Sequence, residues 1–264
     1  MAKNSPIREV AARIVDDTIG SLAYCVSRLS ALFIGGLFVI LCYAAAGIPL
    51  LLGYMHQCLT SVMAGNERLP ELRGIRAMFG NGLRITALGV VYGVLIILPF
   101  AALLLVEIFT LPGMAITRPA GGDDFLGYNI RYAGFSATAV IITITIMAMT
   151  FTFMTLFSNA WLRYAIYGSL RSALNPVKTL KWTIANPELL LSKMFSFGII
   201  GFIFAVPGLL IAAMPGIDRT YSLPFILFTA ISPWLFFAGL ASNTFLRGRQ
   251  LRYLLKNGKL KKVQ

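Results

Sequence analysis

The stretch LSALFIGGLFVILCYAAAGIPLLLGYMHQCLTSVMA runs from Leu29 to Ala64, 36 residues without a single Lys, Arg, Asp or Glu. One membrane span needs about 20 apolar residues, so this run is too long for one helix and nearly long enough for two. Gly47-Ile48-Pro49 interrupts it near its middle, and each half then makes a helix of roughly 27 Å at 1.5 Å per residue. The run therefore predicts a tight hairpin of two short spans; the alternative is one span followed by a surface helix. Ala44-Ala45-Ala46 imitates a leader cleavage site, but the charged segment before Leu29 is 28 residues long. That is too long for an ordinary leader, and the run is read as retained.

The rest of the chain has the same character. Of its 264 residues 58% are hydrophobic and only 12% charged, with a mean hydropathy of +0.78. Soluble domains carry about 25% charged residues, so a water-soluble enzyme, a disordered chain and a disulfide-stapled secreted domain are all excluded. Further apolar runs cover 85–106, 133–156, 194–214 and 224–245. Charge decides how they thread the membrane. Lys and Arg number 4 before Leu29, 4 in residues 65–84, 2 in 107–132, 5 in 160–193, 1 in 215–223 and 7 after Phe245. With the hairpin, 20 of the 23 fall on one side; with one span fewer, the first 4 cross over. Basic residues favour the cytoplasmic side. The expectation is an all-α polytopic protein of six spans in the inner, cytoplasmic membrane, with both termini cytoplasmic. Its divisions are an amphipathic interfacial segment at 1–28, a transmembrane region at 29–246 and a basic cytoplasmic tail at 247–264.

Interfacial helices follow from periodicity. In residues 6–28, Ile7, Val10, Ile14, Leu22 and Cys25 recur near one face, with Arg8, Glu9, Arg13, Asp16 and Asp17 mostly away from it, as in a helix lying on a membrane. Two echoes suggest an internal repeat. Ser158-Asn159-Ala160-Trp161-Leu162-Arg163 resembles Ser242-Asn243-Thr244-Phe245-Leu246-Arg247, and Leu72-Arg73, Ile75-Arg76, Phe79 and Asn81 reappear as Val177-Lys178, Leu180-Lys181, Ile184 and Asn186. Each reads as an inward span followed by a basic surface helix. The candidate binding face for anionic headgroups or an acidic partner is therefore Arg73, Arg76, Arg163, Arg171, Lys178, Lys181, Arg247, Arg249, Arg252 and Lys256, interleaved with Trp161, Tyr164, Trp182 and Tyr253. A basic side chain near an anionic leaflet contributes about 1 kcal/mol. Gly89 and Gly93 form a G-x-x-x-G spacing suited to close helix packing in lipid.

Gly53-Tyr54, Gly65-Asn66-Glu67, Leu69-Pro70-Glu71 and Phe79-Gly80-Asn81-Gly82-Leu83 together resemble an uncharacterised prokaryotic family of multi-pass membrane proteins of unknown function. In that family Gly-Tyr opens a helix and Gly-x-x-x-Leu-Pro-Glu makes a turn. The family in turn resembles the membrane domain attached to some glycerophosphodiester phosphodiesterases. The stretch after Leu-Pro-Glu is often acidic in the family, whereas here it reads Leu72-Arg73-Gly74-Ile75-Arg76. The resemblance implies a fold and no reaction. In physical terms, Gly65-Asn66 stops a helix, and Pro70-Glu71 suits the start of the next.

No catalytic constellation is legible. His56 is the one histidine, and its neighbour Cys58 points to another side of a helix. Cys25, Cys42 and Cys58 make no C-x-x-C pair and suit packing. No nucleophile elbow, metalloprotease motif or phosphate-binding loop occurs. His56 and Glu107 are the ionisable residues within or at the end of a span; their ordinary roles are packing and headgroup contact. No cofactor, metal or nucleic acid is expected. The reading is a non-catalytic accessory or scaffold subunit with membrane lipids and membrane proteins as partners; the alternative is a transporter or channel-like protein for a lipid or small apolar solute.

Overall fold

The computed structural model describes residues 6–45, 47–72, 74–110, 137–187, Leu189, Gly198 and 223–260. Among these, every regular element is helical: α1 (Pro6–Val26), α2 (Leu29–Cys42), α3 (Gly47–Met63), α4 (Ile75–Thr110), α5 (Ala137–Tyr167), α6 (Leu170–Ala173), α7 (Pro176–Ala185) and α8 (Leu223–Lys256). Residues 75–98 of α4 and 144–167 of α5 are each long and apolar enough to cross a membrane. Asp16–Val26 with α2, bent by 84° between them, make a third candidate if counted as one broken span.

The run 29–64 is split into two helices by a tight turn, but α2 and α3, of 14 and 17 residues, are not by themselves among the candidate spans. The break lies slightly earlier than Gly47-Ile48-Pro49: α2 ends at Cys42, the chain turns through Ala45 at φ +58°, and α3 opens at Gly47. Pro49 sits in the first turn of α3, where its missing N–H has no helical partner to lose. A Cβ on Gly47 would lie 2.4 Å from the Cys42 nitrogen, so the tight reversal needs glycine there.

Separate basic surface helices were expected after three spans, and here the structure differs. The basic stretch Ile75–Arg84 is the opening of α4 itself, a 36-residue helix. Arg247–Lys256 likewise continues α8 without interruption, so the division at 246/247 falls inside a helix. Only α6 and α7 stand apart from their span. The reason is that charge does not end a helix; glycine at positive φ does. Gly168 (φ +64°) follows α5 and Gly258 (φ +63°) follows α8. Helices of 36 and 34 residues measure about 54 and 51 Å, well beyond a hydrocarbon core of about 30 Å. Their basic ends can thus clear the apolar layer.

Three clusters of buried side chains hold the bundle. Tyr24, Cys25, Tyr54, Cys58, Phe237 and Phe245 join α1, α3 and α8; Leu59, Leu162, Trp182 and Leu251 join α3, α5, α7 and α8; Ile85, Leu88, Tyr92, Ala160 and Ala173 join α4, α5 and α6. Trp161 packs against all three. The closest approach is between α3 and α4. A Cβ on Gly53 would lie 2.0 Å from the Met78 carbonyl oxygen, and one on Gly82 would lie 1.6 Å from that of Pro49. Gly35 and Gly36 of α2 receive the rings of Phe237 and Trp234 from α8. Gly89 and Gly93 do face α5, but a Cβ there would meet only Phe157 at 3.4 Å and Phe153 at 3.8 Å. Phenyl rings of α5, and not its backbone, stand nearest to those two glycines.

α1 runs down α8, from Asp16 beside Arg249 to Cys25, whose Sγ lies 3.0 Å from the Ala238 carbonyl oxygen and 2.7 Å from Ser242 Oγ. Its buried face is Ser21, Tyr24 and Cys25, while Leu22 is exposed. Of the expected apolar stripe, Cys25 alone is buried among residues whose side chains are described; Ile7, Val10 and Ile14 lie outside them. In lipid, a helix has no need to turn its most apolar side inward.

Candidate functional site

One end of the bundle collects the cations. The C-terminal ends of α3, α5 and α8 and the N-terminal end of α4 meet there. Gly65, just after α3, faces the Arg252 guanidinium of α8; Tyr164 of α5 lies 3.3 Å from Asn81 Oδ1 of α4; Arg247 of α8 donates to Ser158 Oγ of α5. α6 and α7 are folded onto the same end through Tyr92, whose hydroxyl donates to the Ala173 carbonyl (2.8 Å) and lies 2.9 Å from Thr179 Oγ1.

The ten basic residues singled out from sequence divide into three groups. Arg76, Arg171, Lys178, Lys181, Arg252 and Lys256 are exposed and form no ion pair among the described residues. Arg163, Arg247 and Arg249 do other work. Arg163 is 3% exposed and donates from Nη1 to Thr179 Oγ1 at 3.1 Å. Arg247 braces α8 against Ser158, with a buried Nε that has no partner. Arg249 grips Asp17 at 3.0 Å and Asp16 at 3.4 Å, tying α1 to α8. Arg163 and Arg247 are thereby turned toward the bundle, while the Arg249 side chain stays 36% exposed beside its two aspartates. Arg73 lies outside the described residues.

The two Ser-Asn-x-aromatic-Leu-Arg segments are thus alike in burying their polar groups. Asn159 Nδ2 donates to Thr183 Oγ1 at 2.8 Å, Ser242 Oγ lies 3.3 Å from the Ser21 carbonyl, and both arginines are held by a hydroxyl. An arginine at a span end reads as a snorkelling cation from sequence. What turns it inward is a threonine or serine supplied by a distant helix. His56 belongs to the same interior: Nδ1 accepts from the Trp161 indole at 3.2 Å, and the ring stacks on Tyr164, centroids 5.2 Å apart. That is a packing role.

Sequence reasoning missed the docking of the turn at 65–71. Leu69 is buried, its N–H donates to Ser27 Oγ at 3.0 Å, the Tyr54 hydroxyl donates to the Pro70 carbonyl at 2.9 Å, and Glu71 pairs with Arg28 at 3.5 Å. Gly53, Tyr54, Leu69, Pro70, Glu71 and Gly82 therefore build one joint between the α1–α2 bend and the α3–α4 crossing. An open pocket lies over it, with Arg28, Glu67, Arg68 and Glu71 in its lining. The signal was available in Leu-Pro-Glu, but its partner Ser27 is 42 residues away.

Fold and site together define a helical protein with at least two helices able to cross a membrane, and with a cationic end built on a polar interior. Residues 36–216 match the family described as a protein of unknown function, DUF4013, and the chain belongs to that family. No curated protein and no solved structure matches it.

Proposed function

We propose that this is a polytopic protein of the cytoplasmic membrane with six spans and both termini in the cytoplasm, serving as a non-catalytic accessory or scaffold subunit. Its cationic end would hold anionic lipid headgroups and, through them, position partner membrane proteins. The observation that carries the reading is the set of six exposed cations, without an ion pair among the described residues, that α4, α6, α7 and α8 contribute to a single end. The α4 and α5 ends that flank residues 111–136 point the other way, which fits the sparse positive charge of that segment.

Two measurements test this. Mass spectrometry of the protein released from mild detergent is expected to find retained anionic phospholipid. The combined variant Arg171→Gln, Lys178→Gln, Lys181→Gln, Arg252→Gln and Lys256→Gln should lose most of it. Thermal stability should be little changed, since exposed charges contribute within about 0.5 kcal/mol each. Retention that survives the variant and high salt counts against the reading, because exposed attractions fade beyond a Debye length of about 8 Å. Arg249 is left intact, since its loss would loosen α1.

Topology is tested by thiol labelling in intact cells. Asp123→Cys and Asp218→Cys should label from outside, and Lys3→Cys and Lys261→Cys should not. Labelling of Lys3→Cys alone of the last two would replace six spans by five.

A further inference from the structure

Two helices at the cationic end carry the same arrangement of faces. In α7, Val177, Leu180 and Ile184 are exposed, while Thr179, Trp182 and Thr183 are buried. In α1, Ile19, Leu22 and Val26 are exposed, while Ser21, Tyr24 and Cys25 are buried. The register is identical: outward positions at i, i+3 and i+7, inward positions at i+2, i+5 and i+6. At about 100° per residue, the outward side chains of each helix fall within one sector of about 60°, roughly opposite the buried one. Their exposures lie between 36% and 70%. In α7 a third sector, between the other two, carries Lys178 and Lys181, both exposed.

A helix with a core-facing side, an apolar side and a cationic side has a use for each if it lies in the plane of a membrane against a bundle. The apolar side enters the acyl boundary, the lysines reach headgroup phosphates and the polar inner side is satisfied by the protein. The inner side of α7 meets this demand: Thr179 takes the Arg163 bond and Thr183 takes the Asn159 bond. α1 differs from α7 here: its Asp16 end sits beside Arg249, but Cys25 at its other end reaches the Ala238 carbonyl, so α1 runs down α8 and not across its end.

We infer that α7 is an in-plane helix that sinks Val177, Leu180 and Ile184 into the cytoplasmic leaflet, and that Lys178 and Lys181 make it the element selecting anionic phospholipid. The occupant of this apolar face is lipid. A leaflet at that end is required by the spans themselves, and the lysine sector of α7 matches its charge. This rests on the proposed orientation of the cationic end and deepens it.

The test uses the full-length protein with single cysteines Leu180→Cys, Ile184→Cys and Lys178→Cys in α7. Each is coupled to an environment-sensitive fluorophore and reconstituted in phosphatidylcholine vesicles with or without phosphatidylglycerol. Wild type, whose Cys25 and Cys58 are buried and Cys42 half-buried, is the labelling blank. Probes at 180 and 184 should be quenched by lipid-borne nitroxide and be several-fold less open to aqueous iodide than the probe at 178. Phosphatidylglycerol should deepen the probe at 184, and Lys178→Gln with Lys181→Gln should abolish that difference. Equal iodide access at 184 and 178 overturns the inference. So does a probe at 184 that is open in vesicles of the purified protein and shielded only in native membranes, which assigns the face to a protein partner. If either happens while anionic lipid is still retained in the mass-spectrometric experiment, the embedding of α7 fails and the proposed function stands.

Discussion

Gly82→Ala is expected to lower the thermal midpoint of the detergent-solubilised protein by roughly 10 °C, a loss of about 3 kcal/mol for a chain of this size. The added Cβ would sit 1.6 Å from the Pro49 carbonyl oxygen. Backbone, unlike the end of a flexible side chain, cannot swing aside, so α3 and α4 must move apart. That separation also opens the reciprocal contact at Gly53, whose own Cβ would lie 2.0 Å from the Met78 carbonyl. In lipid, close packing is a main source of helix association, because burying apolar surface gains little against lipid tails. Gly89→Ala and Gly93→Ala are the controls. Their nearest neighbours are phenyl carbons at 3.4 and 3.8 Å, and alanine gains up to about 1 kcal/mol over glycine in a helix, so both should be neutral or mildly stabilising. Heating each variant in mild detergent and following its elution as a monodisperse species decides the matter. A Gly82→Ala protein as stable as wild type would remove the α3–α4 crossing from this account.

Trp182→Ala should have the second large effect, about 3–5 kcal/mol for emptying a buried indole. Trp182 is fully buried and joins α7 to Leu59 of α3, Leu162 of α5 and Leu251 of α8. The damage should centre on α6 and α7, because Tyr92, Arg163 and Asn159 hold them to the bundle only through Ala173, Thr179 and Thr183. Limited trypsin digestion is the readout: cleavage after Lys178 and Lys181 should accelerate well before the elution profile of the bundle changes. Trp182→Phe should be far milder, since the indole Nε1 is buried without a partner and a phenyl ring leaves no unsatisfied donor there. Unchanged cleavage in Trp182→Ala would show that α7 does not depend on this anchor.

The candidate face was only partly legible for a reason visible in Arg163, Arg247 and Arg249. Each stands at the end of an apolar run and reads from sequence like Arg171 or Arg252. Thr179, Ser158 and the pair Asp16–Asp17 separate them, and these partners lie 16, 89 and more than 230 residues away. Periodicity failed in α1 for a related cause. Hydropathy ranks Leu22 above Ser21, but the face turned to α8 is decided by Ser242 and Phe245, not by the sequence of α1.

Sequence by itself determined the all-helical class, the turn that splits 29–64 into two helices, the helix stop at Gly65-Asn66 and the asymmetric distribution of positive charge. These depend on sums over a segment or on the allowed dihedrals of one residue, and no distant partner alters them. Tertiary structure decided which glycines are indispensable, which cations remain free and which helices run on past their apolar stretch. Those outcomes depend on single atoms from separate segments meeting within 3–4 Å, such as Gly82 on the Pro49 carbonyl or Arg163 on Thr179. Composition and spacing carry no record of such meetings.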